Sequence, residues 1–333
     1  MMPKALTNRI ADIDSSRREQ AMDVLRILAC MGILLAHSGA MCITCGIVEK
    51  DSPAWIASFL AKELYMISIP VFAMLSGYFF LNPKKELALR KLYGRNIMRL
   101  VIALVFWTLF YAITVRGRYY PFGGQDTNFW YIGMCIGLYI SMPVLRCVAA
   151  DDRLLAYSCW AWLFIRVYLY VGKYVEVPIV ITDHVFTGYM GYCLWGYYLS
   201  RMTLSRKQIH LIYFVGVAAM IMTFVVPLWN TKVRFDYVDI GPAFAAFAVF
   251  LFFVKHPLDL SEKWGDLLAH FSKVTFGIYM VHSFVVIETF TRIYRFVPNP
   301  FVLIPLSFVV TFVSSYVMVL VIKQIPVLKK WVV

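Results

Sequence analysis

Arg26 and His37 lie eleven residues apart in the first long apolar stretch of the chain, AMDVLRILACMGILLAHSGAMC. In an α-helix eleven residues turn through about 1100° and rise about 16 Å, so both side chains share one face at different depths. Asp23 precedes Arg26 by one turn and is placed to pair with it as an i,i+3 partner. Ionisable groups inside a membrane are costly to keep, and a functional role is their default reading. A neutral imidazole accepts a proton near neutral pH, since its unperturbed pKa is about 6.5, which makes His37 a candidate general base. Pairing with Asp23 lowers the cost of holding the Arg26 guanidinium at the membrane boundary. The competing reading makes Arg26 a helix-end anchor and His37 a hydrogen-bond partner of a neighbouring helix.

Further candidates follow along the chain. Arg95 and Arg99 are i,i+4 at the start of the third apolar stretch, a spacing expected to turn two guanidinium forks the same way toward phosphate. Lys84, Lys85, Arg90 and Lys91 complete that basic cluster, although ordinary positive-inside topology accounts for them equally. His282 lies about eleven residues into a later span, at a depth comparable to His37, with Tyr279 one turn earlier on the same face. The pair is expected to orient an acceptor or to hold His37 in one tautomer, against a simpler role in interhelical hydrogen bonding. Ser76, beside Gly77, is a candidate acyl carrier with no base identifiable near it in sequence. Trp130 and Tyr131 open the fourth span and read as interfacial aromatics rather than sugar-stacking residues, as do Tyr119 and Tyr120. The segment GRYYPFGGQD is a candidate external loop over an acceptor entrance. His184, His210, His256 and His270 lie near span ends and receive no catalytic role. No zinc-ligand spacing, Walker loop or GxGxxG is present, so no resident metal or cofactor is expected.

These residues need a scaffold, and composition names it. With 61% hydrophobic residues, 17% aromatics and a mean hydropathy of +0.70, 333 residues carry more apolar surface than a soluble core of that length buries. The reading is an all-α polytopic membrane protein of about ten transmembrane helices, near 22–42, 54–81, 96–115, 129–149, 154–174, 180–200, 208–229, 240–256, 271–290 and 301–322. Long uninterrupted apolar runs satisfy their backbone internally as helices, whereas barrel strands alternate over roughly ten residues. Sorted by side, 21 basic residues flank the spans on the N-terminal side and 9 on the other, which predicts both termini in the cytoplasm. The formal charge of +13 is explained by basic loops against an anionic leaflet and calls for no nucleic acid. A single domain is expected over 1–333, with a cytoplasmic segment 1–21, a bundle over 22–322 and a tail over 323–333. No cleavable signal peptide is apparent. Most of the seven cysteines read as small core residues. Cys42 and Cys45, at the outer end of the first span, are either a CxxC disulfide or two unpaired thiols.

Five segments carry a resemblance. RREQAMDVLRILACMGILLAHSGA, PVFAMLSGYFF (70–80), KLYGRNIMRLVIAL, FWYIGMCIGLYISMPVL (129–145) and FSKVTFGIYMVHSFVV (271–286) follow one another in order. They resemble the first, second, third, fourth and ninth helices of the acyltransferase-3 family of integral membrane acyltransferases. The resemblance covers nearly the whole chain, without the appended hydrolase-like domain that some members carry. It implies a stand-alone bacterial inner-membrane O-acetyltransferase that takes acetyl-CoA as donor substrate and acts on a surface glycan or lipid-linked saccharide such as O-antigen or enterobacterial common antigen. On that reading Arg26, Lys91, Arg95 and Arg99 face the acyl-CoA, and His37 activates the acceptor hydroxyl with Asp23 and Arg26 in support. His282, Tyr279, Ser76 and Trp130 stand on the acceptor side. The rival function is a transporter or flippase for a glycan-lipid or small anion, for which matching inverted repeats are expected and not found.

Overall fold

The computed structural model describes residues 4–84, 86–114, 129–175, 188–230 and 233–333, with the side chains of 4–16, 18, 174 and 175 outside the description. Lys85, His184, Tyr119, Tyr120 and the GRYYPFGGQD loop lie outside the described residues. Within them the chain is helical, with no strand.

The order is α1 (Lys4–Thr44), α2 (Pro53–Glu63), α3 (Tyr65–Phe80), α4 (Leu89–Lys91), a π-helical turn (Leu92–Ile97), α5 (Met98–Thr114), α6 (Trp130–Ala150), α7 (Asp152–Val175), α8 (Tyr189–Arg201), α9 (Arg206–Trp229), α10 (Ile240–Lys255), α11 (Glu262–Ile293), α12 (Pro300–Ile322) and α13 (Pro326–Trp331). Among the described residues, eight segments are long and apolar enough to cross a membrane. The two other expected spans correspond to α8 and α10. Here α10 is a shorter apolar helix, and α8 begins at the edge of the undescribed residues 176–187.

The bundle is inverted relative to a soluble protein. Ile113, Phe164 and Phe214 are 72%, 72% and 73% exposed, and Val105, Leu109 and Ile113 run as an i,i+4 stripe along the outside of α5. Such stripes are tolerable only against lipid. Polar residues are turned inward instead, with Ser272, Thr275, His282, Ser283, Ser307, Thr311 and Ser315 all buried on α11 and α12. Buried hydroxyls suit close helix packing because they can return a hydrogen bond to the preceding turn, as Thr275 does to the Ser272 carbonyl at 2.7 Å.

The crossing of α3 and α8 brings two backbones into contact. A Cβ at Gly77 would fall 1.8 Å from the Cys193 carbonyl oxygen, and one at Gly196 would fall 2.2 Å from that of Met74. Gly196→Ala must therefore push the helices apart. It is expected to cost about 1–3 kcal/mol, read as a lower unfolding midpoint of the detergent-solubilised protein. A second tie lies at the far ends of α7 and α10, where Lys173 Nζ donates to both oxygens of the buried Asp239 at 2.8 and 2.9 Å. Burial raises the Asp239 carboxyl above its usual range, and the hydrogen bond from Lys173 opposes that shift. All cysteines among the described residues are free thiols, Cys42 buried and Cys45 exposed.

Candidate active site

The site is built on α1 and α11, which lie side by side and run in the same direction. Arg26 meets Ser272, Cys30 reaches the Thr275 carbonyl, and His37 meets His282, so residue numbers advance together along both helices. The rungs span ten to eleven residues, about 15–16 Å of helix. One axis thus has a guanidinium end and an imidazole end.

At the guanidinium end Arg26 Nη1 donates to Ser272 Oγ at 2.7 Å and to Asp23 Oδ1 at 3.2 Å, while Ser272 Oγ donates to the same Asp23 oxygen at 2.5 Å. The Phe79 ring lies 4.9 Å from the guanidinium carbon, close enough for a cation–π contact. Only Nη1 is used in these bonds, and the side chain keeps 28% of its surface exposed, so its remaining donors can reach a ligand. Tyr139 of α6 lies within electrostatic reach of both Arg26 and Arg99.

The basic cluster does not act as one surface. Gly94 and Arg95 fall in the π-helical turn, a widened turn of the kind often found at functional sites. Arg95 and Lys91 are exposed, whereas Arg99 is half-buried with its guanidinium carbon 5.2 Å from the Phe276 ring. Of the four basic residues assigned to the donor, Arg26 and Arg99 therefore enter the bundle and the other two stay at its rim.

At the imidazole end the His37 and His282 ring centroids are 5.0 Å apart. His282 is fully buried, and its Nδ1 faces the Tyr279 carbonyl. A carbonyl only accepts, so Nδ1 carries the proton and Nε2 is left as an acceptor, with Ser283 Oγ at 3.4 Å. His37 differs. It makes no hydrogen bond among the described residues and keeps accessible surface, although its neighbours Ala36 and Ser38 are 1% and 0% exposed. A partly exposed imidazole with no hydrogen-bond partner among the described residues is free to take a substrate proton.

A stripe along α6 joins the two ends. Tyr131, Cys135 and Tyr139 recur at i,i+4, and Tyr131 packs 4.9 Å from Tyr279, which lies 5.2 Å from His282. Trp130 packs at a tilt against Tyr189 and Tyr237, with ring centroids 5.9 and 5.2 Å apart, inside an aromatic cluster rather than out toward lipid. Ser76 stands apart, with its hydroxyl returned to the Phe72 carbonyl at 3.1 Å.

Three contributors were not singled out from sequence. Tyr139 was findable, since it continues the Tyr131 stripe at i+8, whereas Ser272 sits ten residues before His282, about 80° round the helix, and only its contact with Arg26 marks it. Tyr111 of α5 was not findable either. Its hydroxyl accepts from the Phe284 N–H at 2.8 Å and donates to the Met280 carbonyl at 3.3 Å. An unbroken α-helix pairs those two groups directly, so Tyr111 braces α11 at the turn that carries His282.

The fold and site define a multi-pass membrane protein organised around a buried polar axis. The chain belongs to the acyltransferase-3 family: the family model described as an acyltransferase domain matches residues 19–320. No curated protein and no solved structure matches it. The protein is thus a membrane acyltransferase. Tyr111→Phe is expected to lower the turnover number about tenfold, since it removes both positioning hydrogen bonds of the Tyr111 hydroxyl, with the donor KM unchanged. A merely structural role would move the amount of folded protein and leave the turnover of each folded molecule intact.

Proposed function

We propose that this protein moves an acetyl group from acetyl-CoA to a hydroxyl of a cell-surface or lipid-linked glycan in the bacterial inner membrane, with both termini cytoplasmic. The observation that carries the proposal is the shared axis of α1 and α11, with a partly open guanidinium at one end and an unpartnered imidazole about 16 Å deeper.

Coenzyme A carries phosphates and is made in the cytoplasm. Arg26 and Arg99 receive them at the cytoplasmic end, beside Tyr139, with Lys91 and Arg95 on the approach. The pantetheine arm extends along the α6 stripe and delivers the thioester toward His37. The glycan arrives from the opposite side. His37 takes the proton of its hydroxyl as the oxygen attacks the thioester carbonyl, and the coenzyme A thiolate leaves. His282, held by the Tyr279 carbonyl, is a positioning residue that packs His37 against the reacting groups. The position of Ser76 favours direct transfer over an acyl-serine, because its hydroxyl is bound to its own helix. Trp130 and Tyr279 line the acceptor approach.

The test is transfer of radiolabelled acetyl from acetyl-CoA to isolated surface glycans in membranes with wild-type protein or His37→Ala at matched levels. Label in glycan with wild type alone supports the proposal. Equal label with His37→Ala removes His37 from the chemistry, and wild type that neither transfers label nor binds coenzyme A removes the donor assignment.

A further inference from the structure

We propose that a cavity at the His37 end of the bundle binds an acidic saccharide, so that the acceptor carries an oxyanion as well as the reacting hydroxyl. The inference rests on the acyl-transfer reading for its purpose and on the cavity for its chemistry.

The cavity has a volume of about 540 Å³, in the range of small-molecule sites, and lies between the end of α1, α2, the start of α3, the end of α9 and residues 233–235. Lys50, Lys62 and Arg234 line it, with Glu63 as the one acidic residue in the lining. Lys62 is engaged, since its Nζ lies 3.3 Å from the Glu63 carboxylate. Lys50 and Arg234 are exposed and make no ion pair among the described residues. The nearby Glu49, Asp51 and Asp236 are exposed and do not line the cavity. Two uncommitted cations thus face the space. Their position is unusual for the topology: 9 basic residues fall on this side of the membrane by sequence, and three of them converge here, where the positive-inside rule disfavours them.

The rest of the lining suits a sugar. Trp55 and Phe59 stack at 5.3 Å and present aromatic surface on which the apolar face of a pyranose ring can lie. A series of packed aromatic rings connects the cavity wall to the imidazoles. Tyr65 on its wall packs 5.2 Å from Tyr237, which packs 5.2 Å from Trp130, and Tyr131 and Tyr279 continue the aromatic series to His282. In depth the cavity wall is close to His37. A Cβ on Gly39 would fall 2.6 Å from the Ser58 carbonyl oxygen and 3.0 Å from the Lys62 backbone nitrogen, so the backbone of Lys62 lies level with the turn that follows His37.

The oxyanion is a carboxylate of the sugar or a phosphate on it, and direct titration separates the two. Full-length protein in detergent is titrated calorimetrically with trigalacturonate, with its neutral methyl ester and with glucose 1-phosphate. One of the two anions is expected to bind at least tenfold more tightly than the ester, and the preferred one identifies the charged group. Its affinity is expected to fall with added salt and about tenfold in the double variant Lys50→Gln/Arg234→Gln, a few-fold for each solvent-facing charge. Equal binding of ester and acids, or unchanged binding in a folded double variant, overturns the proposal. Should the double variant fold poorly, the comparison of acid with ester on wild type decides alone. Acetyl-CoA turnover of wild type, measured in parallel, keeps the two readings apart. Anion-selective binding without acetyl-CoA turnover overturns the acetyl-transfer reading and leaves this site standing, whereas turnover without anion selectivity does the reverse.

Discussion

His37→Ala is expected to lower acyl transfer by about 10²- to 10⁴-fold, the usual contribution of a positioned general base, while coenzyme A binding stays at the wild-type value. The split arises from geometry. Arg26 and Ser272 stand about 16 Å away along the same pair of helices, so truncation at position 37 leaves the donor end untouched. Truncation orphans no hydrogen-bond partner among the described residues, and its cost to folding is confined to the lost packing against His282. His282→Ala is expected to lose less, about tenfold, since it acts by packing 5.0 Å from His37. That variant also frees the Tyr279 carbonyl, so some loss of stability accompanies it. Turnover and coenzyme A affinity of both purified variants check the assignment. A larger loss at position 282 than at 37 would exchange the two roles.

Arg26→Ala is expected to raise the donor KM about 10- to 100-fold with a smaller change in turnover number. A charge-assisted hydrogen bond contributes about 1.5–3 kcal/mol, and an interaction made equally in ground and transition states appears in KM. Arg26→Lys is not expected to rescue. The guanidinium bonds Asp23 and Ser272 through Nη1 and lies over Phe79, which leaves its other nitrogens for the ligand, and an ammonium cannot divide its donors that way. Asp23→Asn tests the support for this arrangement. The serine hydroxyl and the guanidinium both rely on Asp23 Oδ1, so the variant should loosen Arg26 and give an intermediate rise in KM. Steady-state kinetics over a range of acetyl-CoA concentrations read all three variants. An unchanged KM in Arg26→Ala would take Arg26 out of donor binding.

Much of this architecture is written in local pattern. The requirement that every backbone group in lipid be satisfied internally turns each long apolar run into a helix, so an all-α polytopic fold follows from hydropathy alone. The i,i+3 relation of Asp23 to Arg26 and the eleven-residue step from Arg26 to His37 are likewise properties of one helix. Both survive in the structure because α1 is continuous from Lys4 to Thr44. The i,i+4 reading of Arg95 and Arg99 assumed an α-helix. It met a π-helical turn at Leu92–Ile97, which leaves Arg95 exposed and Arg99 half-buried over Phe276.

What sequence could not reach is contact between helices far apart in the chain. The pairing of Arg26 with Ser272 and of His37 with His282 joins residues about 245 positions apart, and no periodicity within either helix specifies which neighbour it will face. The same holds for Tyr111 bridging Met280 and Phe284, and for the convergence of Lys50, Lys62 and Arg234 on one cavity. Hydropathy decides which segments enter the membrane because transfer from water to lipid acts on each segment separately. Which faces then meet is decided by packing, where small residues such as Gly77 and Gly196 let backbones touch and interhelical hydrogen bonds choose the register.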